Sequence, residues 1–118
     1  MQACQFGFNP VYDEEAPTLE QLKMLTGDAI IEFGAPWCGH CQAAEPIVRA
    51  VFSKYPQLPY IKVYDGKGKR LGRAFHVKLW PSFILLRDGE EVARLVRPVT
   101  PDEVYQLLAQ LDAKTKSE

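Results

Sequence analysis

The sequence predicts an α/β chain: a central mixed sheet of four to five strands, with helices on both faces. Three observations carry this. The run Ala29-Ile30-Ile31-Glu32-Phe33 is mostly apolar, as in a strand covered on both sides. Soon after it, Ala44, Ile47, Val48, Val51 and Phe52 recur at three- and four-residue spacing, the period of a helix with one buried face. Later, Asp88-Gly89 separates two strand-like runs, the dipeptide of a two-residue hairpin.

The elements follow in order. Residues 1–17 have no clear period and contain Pro10, the acidic run Asp13-Glu14-Glu15 and Pro17; they read as a loose arm with a short edge strand near Cys4-Gln5-Phe6. Thr18-Leu19-Glu20-Gln21 has capping-box spacing, so a helix starts here. Leu19, Leu22 and Leu25 mark its face, and Gly27 is its stop. Residues 29–33 form a strand, and the helix after it carries Pro46, which should kink it by removing a backbone donor. Residues 59–64 form a second, parallel strand reached by a right-handed crossover. Asp65-Gly66-Lys67-Gly68-Lys69 is a turn, and residues 70–77 form a short helix.

Residues 81–86 are a strand, and residues 91–96 return antiparallel, with Val92 facing one way and Ala93 the other. Thr100-Pro101-Asp102-Glu103 opens the last helix with a cap, a proline at the first position and acids in the first turn. Val104, Leu107, Leu108 and Leu111 are its buried stripe. Residues 18–112 make one domain, and residues 113–118 are a tail that frays from Lys114.

Composition narrows the function. The net charge of -1 sets up no global field for nucleic acid, and no apolar run reaches the roughly 18 residues that span a membrane. The segment Met1-Gln2-Ala3-Cys4-Gln5-Phe6 lacks the basic and long apolar regions of a secretory signal, so the expected location is the cytoplasm, with export as the alternative. Three cysteines close one intramolecular disulfide at a time, which is a poor staple but a sufficient redox inventory. The chain is read as a monomer.

The chemistry points to Cys38-Gly39-His40-Cys41. At a strand-to-helix junction, Cys38 faces unpaired backbone donors and the positive end of the helix dipole, both of which favour thiolate. His40 adds a donor or a positive charge beside it. Cys41 lies about one turn deeper, placed to resolve a mixed disulfide. On residues alone, other readings stay open. Two unrelated buried cysteines are one. A zinc site using the pair with His40, His76 or Cys4 lacks a second pair, and an iron–sulfur cluster shared between subunits is a third.

The segment Glu32 to Cys41, EFGAPWCGHC, closely resembles the active-site segment of the thioredoxin superfamily, and its Gly-His pair is most like protein disulfide isomerase domains. The resemblance runs over about residues 18–111 and implies a small bacterial-type, thioredoxin-like fold. It also implies a thiol–disulfide oxidoreductase acting on protein disulfides or dithiols, with no cofactor beyond the Cys38–Cys41 disulfide. Electrons would come from a reductase or glutathione. The resemblance further implies a cis peptide bond at Pro81, with Trp80 pairing its backbone with the substrate. Glu32 stands where the family has a buried acid that relays a proton for Cys41, and Lys62 stands where a lysine pairs with that acid. Water-exposed positions at strand edges are the competing reading for both.

Trp37, Gly39, His40, Trp80, Pro81, Val96 and Arg97 form the implied substrate surface. Trp37 would shield the disulfide, and its emission would report oxidation; a buried structural tryptophan is the competing reading. Four positions depart from the family pattern. Gly34 replaces a common aromatic residue and leaves room beside the site. Trp80 replaces a small or β-branched residue, and Arg97-Pro98 replaces small residues opposite Pro81, which bears on docking to a standard reductase. The cluster Lys67, Lys69, Arg70, Arg73 and Lys78 reads as a solvated face or as a surface for an acidic partner. Cys4 reads as an incidental thiol in a mobile arm, and His76 as a structural histidine. A non-enzymatic binding module built on the Trp80 surface is the reading from another class.

Overall fold

A computed structural model describes residues 1–111; the frayed tail expected from Lys114 lies outside the described residues. Five strands form one mixed sheet: β1 (Cys4–Phe6), β2 (Asp28–Gly34), β3 (Pro59–Tyr64), β4 (Ser82–Arg87) and β5 (Glu90–Val96). Their spatial order is β1-β3-β2-β4-β5. β2 and β3 are parallel, and the other pairs are antiparallel. The helices are α1 (Leu19–Lys23), α2 (Gly39–Phe52), α3 (Arg70–Ala74) and α4 (Pro101–Leu108).

Strand alternation sorts the core into two layers. Ile30, Tyr60, Phe83 and Leu85 meet Val48, Val51 and Phe52 of α2 and Val104, Leu107 and Leu108 of α4. Ile31, Phe33, Ile61, Ile84 and Leu86 meet Leu22 of α1 and Leu71 of α3 on the other face. Every residue of β2 is buried, which explains its nearly uniform apolar run. Burying a side chain such as Phe52 on this sheet contributes about 1.5–3 kcal/mol.

Local signals explain most element ends. Thr18 and Thr100 each accept from the third helical N–H, while Gln21 and Glu103 reach back to the cap, so both capping boxes form. Leu19, however, is exposed; only Leu22 of the α1 stripe is buried. Gly27 does not stop α1, which ends at Met24. It enters β2 instead, with φ +75° and its N–H donated to Asp88. α3 is shorter than expected because His76 takes φ +57°. The N–H groups of His76 and Val77 then bond back to Arg73 and Gly72, closing the helix in a Schellman turn. His76 is thus a helix-ending residue. In the β4–β5 hairpin, Val92 is an extra, exposed residue at a bulge, and Ala93 turns to the core.

The first seventeen residues hold more order than a loose arm. β1 pairs with β3, and the buried Asn9 amide donates to the carbonyls of Ala3 and Tyr60. The N–H of Asp13 bonds to Lys62 O, and Tyr64 N–H bonds to Asp13 O. Cys4 sits half-buried in β1, and burial pushes its thiol up, which makes it a less reactive group than an exposed thiol in a mobile arm.

Gly89 of the hairpin has φ +81°, and a Cβ there would lie 2.6 Å from Leu22 O and 2.7 Å from Lys23 Cα. Both contacts are backbone and cannot swing away. Gly89→Ala is therefore expected to destabilise the fold by about 2–4 kcal/mol, read as a lower urea midpoint at unchanged slope. A loss below about 0.5 kcal/mol would show that the α1 backbone yields.

Candidate active site

α2 begins a short loop after β2, so its N-terminus opens at the C-terminal end of the central strand. Cys38 is the N-cap, with its Sγ accepting the N–H of Cys41 at 3.3 Å. Both cysteines are free thiols and nearly buried, Cys38 at 8% exposure and Cys41 at 4%. Burial, reinforced by the hydrogen bond to Cys38, pushes the Cys41 thiol up to about 12. Cys41 therefore carries its proton at neutral pH and must lose it to act as a nucleophile. Pro46 lies exposed within the continuous span of α2.

Glu32 and Lys62 are cross-strand partners on β2 and β3, and neither sits in water at a strand edge. Their charged ends stand 3.9 Å apart, and Lys62 also reaches Glu45 of α2 at 3.7 Å. The ammonium lies over the rings of Tyr12 and Phe8, 4.3 and 5.1 Å from their centroids. The Glu32 carboxylate accepts from Tyr60 at 2.5 Å and from Tyr12. Burial still outweighs Lys62 and both hydroxyls, so the Glu32 carboxyl is held above its ordinary range.

The second wall of the site is aromatic. The Trp80–Pro81 peptide bond is cis, as the resemblance implies. Trp80 packs against the cluster of Ala35, Cys38 and Cys41, and donates its indole N–H to Asp65 at 2.9 Å. Asp65 fits there because residue 72 is glycine: a Cβ would meet its carboxylate at 2.5 Å. Trp37 is 64% exposed, donates to Tyr64 at 2.8 Å, and meets Trp80 edge-to-face at 5.5 Å. Gly39 and His40 are exposed on the first turn of α2. β5 ends at the exposed Val96. Arg97 follows with φ +51°; its N–H bonds to Pro81 O and its Nε donates to Trp80 O at 2.8 Å.

Trp80 packs partly buried against the cluster that holds both thiols, whereas Trp37 stands exposed. Oxidation of the cysteine pair is expected to change tryptophan emission, and Trp80→Phe should remove more of that change than Trp37→Phe. Equal losses, or the reverse order, would contradict this placement.

Several partners at the site are not visible in the sequence pattern. Tyr12 comes from the arm, Tyr60 and Tyr64 from β3, and Asp65 from the turn after it. Their separations from the residues they hold run from 15 to 28 positions, so no local spacing marks them.

The comparisons with known proteins follow the same geometry. The Thioredoxin family model matches residues 8–110. Thioredoxin H2-1 of rice (Oryza sativa subsp. japonica) is 30% identical over 80% of this chain and 68% of its own length. The thioredoxin of Chlamydia trachomatis is 31% identical over 74% of this chain and 85% of its own length. Among solved structures, reduced thioredoxin 2 of Pseudomonas aeruginosa PAO1 superposes with a TM-score of 0.75 and 52% identity. That alignment covers 82% of this chain and 90% of the other. Against three further plant thioredoxins the match spans 58 to 62% of their length. With the sheet order, the paired thiols at the start of α2 and the matching family model in agreement, this chain belongs to the thioredoxin family of thiol–disulfide oxidoreductases.

Proposed function

We propose that this protein reduces protein disulfides, with Cys38 as the attacking thiolate and Cys41 as the resolving thiol. The observation that supports the assignment most directly is their inequality. Cys38 caps the helix and accepts a backbone N–H, whereas the Cys41 thiol is pushed up to about 12. Cys38 attacks one sulfur of a substrate disulfide, forming a mixed disulfide and releasing the first substrate thiolate. Cys41 then attacks Cys38, forming the intramolecular disulfide and releasing the second. Two electrons pass from the dithiol to the substrate, and a reductase or glutathione returns them.

Glu32 and Lys62 form the buried proton-handling pair behind Cys41 in this reading. Trp37, Gly39, His40, Trp80, Pro81, Val96 and Arg97 form the docking surface. The groove beside Trp80 carries Lys67, Lys69, Arg73 and Lys78, which suits a substrate segment with acidic residues. The reductase direction places the protein in a reducing compartment, the cytoplasm.

The test is the equilibrium potential of the Cys38–Cys41 pair in a glutathione series. A value near the roughly −270 mV known for thioredoxin supports the reductase. A value near the roughly −180 mV of protein disulfide isomerase, or higher, would replace it with an exported oxidase or isomerase. His40 favours that second outcome where it stabilises the reduced thiolate.

A further inference from the structure

Tyr12 enters the site from the arm, fixed by the Asp13 backbone bonds to Lys62 and Tyr64 on β3. Its hydroxyl donates to Glu32 Oε2 and lies beside the Cys41 thiol across the space left at Gly34. Gly34 makes this possible: a Cβ at that position would lie 2.7 Å from both Cys41 Sγ and Tyr12 Oη. The room left by the missing aromatic side chain is filled by a hydroxyl from twenty-two residues upstream.

We propose that Tyr12 is a proton relay, carrying the Cys41 proton to Glu32 during resolution of the mixed disulfide. The inference rests on the exchange chemistry proposed above. Cys41 gives its S–H proton to Tyr12 Oη while Tyr12 passes its own O–H proton to Glu32 Oε2. As Cys41 Sγ bonds to Cys38 Sγ, the bond between Cys38 and the substrate breaks. Its electron pair leaves on the substrate sulfur. The dithiol is oxidised to a disulfide, the substrate disulfide is reduced, and Glu32 holds the proton until it returns to solvent.

Tyr12 itself stays neutral throughout, because burial and the neighbouring carboxylate both oppose a phenolate. The other groups facing this route are Cys38 at the cap of α2, Glu45 within α2, and Tyr60 and Lys62 of β3. Tyr60 holds the opposite oxygen of Glu32, which leaves Oε2 to Tyr12. A competing route exists through solvent. An open cleft of about 310 Å³ is lined by Val11, Tyr12, Ala35, Pro36, Cys41 and Glu45, and water entering it would offer the Cys41 proton another acceptor.

The two routes separate in stopped-flow reaction of the reduced protein with 5,5′-dithiobis(2-nitrobenzoate). Attack by Cys38 releases one equivalent of thionitrobenzoate, and resolution by Cys41 releases a second. Tyr12→Phe is expected to slow the second phase about 10²-fold near neutral pH and to leave the first unchanged. The wild-type second phase should level off above the Glu32 titration. In Tyr12→Phe it should keep rising about ten-fold per pH unit, as expected when solvent base removes the proton.

Gly34→Ala, which places a methyl between the two groups, should reproduce this profile. Adding Glu32→Gln to Tyr12→Phe should cost little more, because both act on one proton. An unchanged second phase in Tyr12→Phe would overturn the relay in favour of the cleft water. Equal slowing of both phases, or an unaltered pH profile, would reduce Tyr12 to a packing role. A wild-type protein that releases only one equivalent would overturn the exchange chemistry and the relay with it.

Discussion

Cys41→Ser is expected to leave the first step of exchange intact and to arrest the second, so that the protein accumulates as a covalent mixed disulfide with its substrate. The first step needs only Cys38, which keeps its place at the N-terminus of α2. The second needs a sulfur at residue 41, because a serine oxygen forms no disulfide with Cys38. Turnover should fall by about 10³-fold or more, the scale seen when a nucleophile that works within a unit is removed. The fold should survive. The exchanged atom is one buried sulfur at 4% exposure, and burying a hydroxyl there costs about 1–3 kcal/mol.

Mass spectrometry after mixing with a disulfide-bonded protein checks the result: the substrate should be found on Cys38 and be released by added dithiothreitol. Cys38→Ser should give no adduct, because Cys41 is buried and fully protonated near neutrality. An adduct formed equally well by Cys38→Ser would reverse the assignment of the two sulfurs. Full turnover by either variant would sink the dithiol mechanism and put a single-thiol exchange in its place.

The parts of this protein that were legible in sequence are those whose cause is local. The capping boxes at Thr18 and Thr100, the hairpin at Asp88-Gly89 and the periodicity of α2 each depend on residues within one or two turns. The cysteine pair was legible for the same reason, since strand, motif and helix are contiguous. Glu32 and Lys62 became candidates through the family resemblance alone; their burial follows from pairing two central strands, which no single strand's pattern states. The arm is the least legible segment. Its prolines and acids give no period, yet its order comes from backbone bonds to β3 and from the side chains of Asn9 and Tyr12, all formed across the fold. Gly34 shows the same limit from the other side. Its lack of a side chain was visible, but the hydroxyl that occupies the space comes from a segment with no helical or strand signal.

The pH dependence of stability is expected to carry the signature of Glu32. Its carboxyl is raised from 4.5 by burial, although Lys62, Tyr12 and Tyr60 pull the other way. The folded protein therefore holds this proton at pH values where the unfolded chain has released it. Between the unfolded value and the raised folded value, the unfolding free energy must fall as pH rises. The fall is about 1.4 kcal/mol for each unit of separation, and it is complete once pH exceeds the folded value. Below about 4.5 both states are protonated and the penalty is absent.

Glu32→Gln keeps the size of the side chain and an oxygen for the tyrosine hydroxyls, and it removes the titration. Urea unfolding of the reduced variant should lack this fall. Removing the acid also deprives the buried Lys62 ammonium of one partner at 3.9 Å and leaves it Glu45 at 3.7 Å. That contact is ionic only where Glu32 is ionised, so its loss belongs to the same titration and adds no slope of its own. The slope, rather than the stability at any one pH, therefore isolates Glu32. Equal slopes in wild type and variant would show that the acid stays ionised in the folded state over this range. Glu32→Ala should show the same flattened slope and, with the fold retained, a slowed release of the second thionitrobenzoate equivalent. The proton that tilts the stability curve would then be the one that Cys41 must shed.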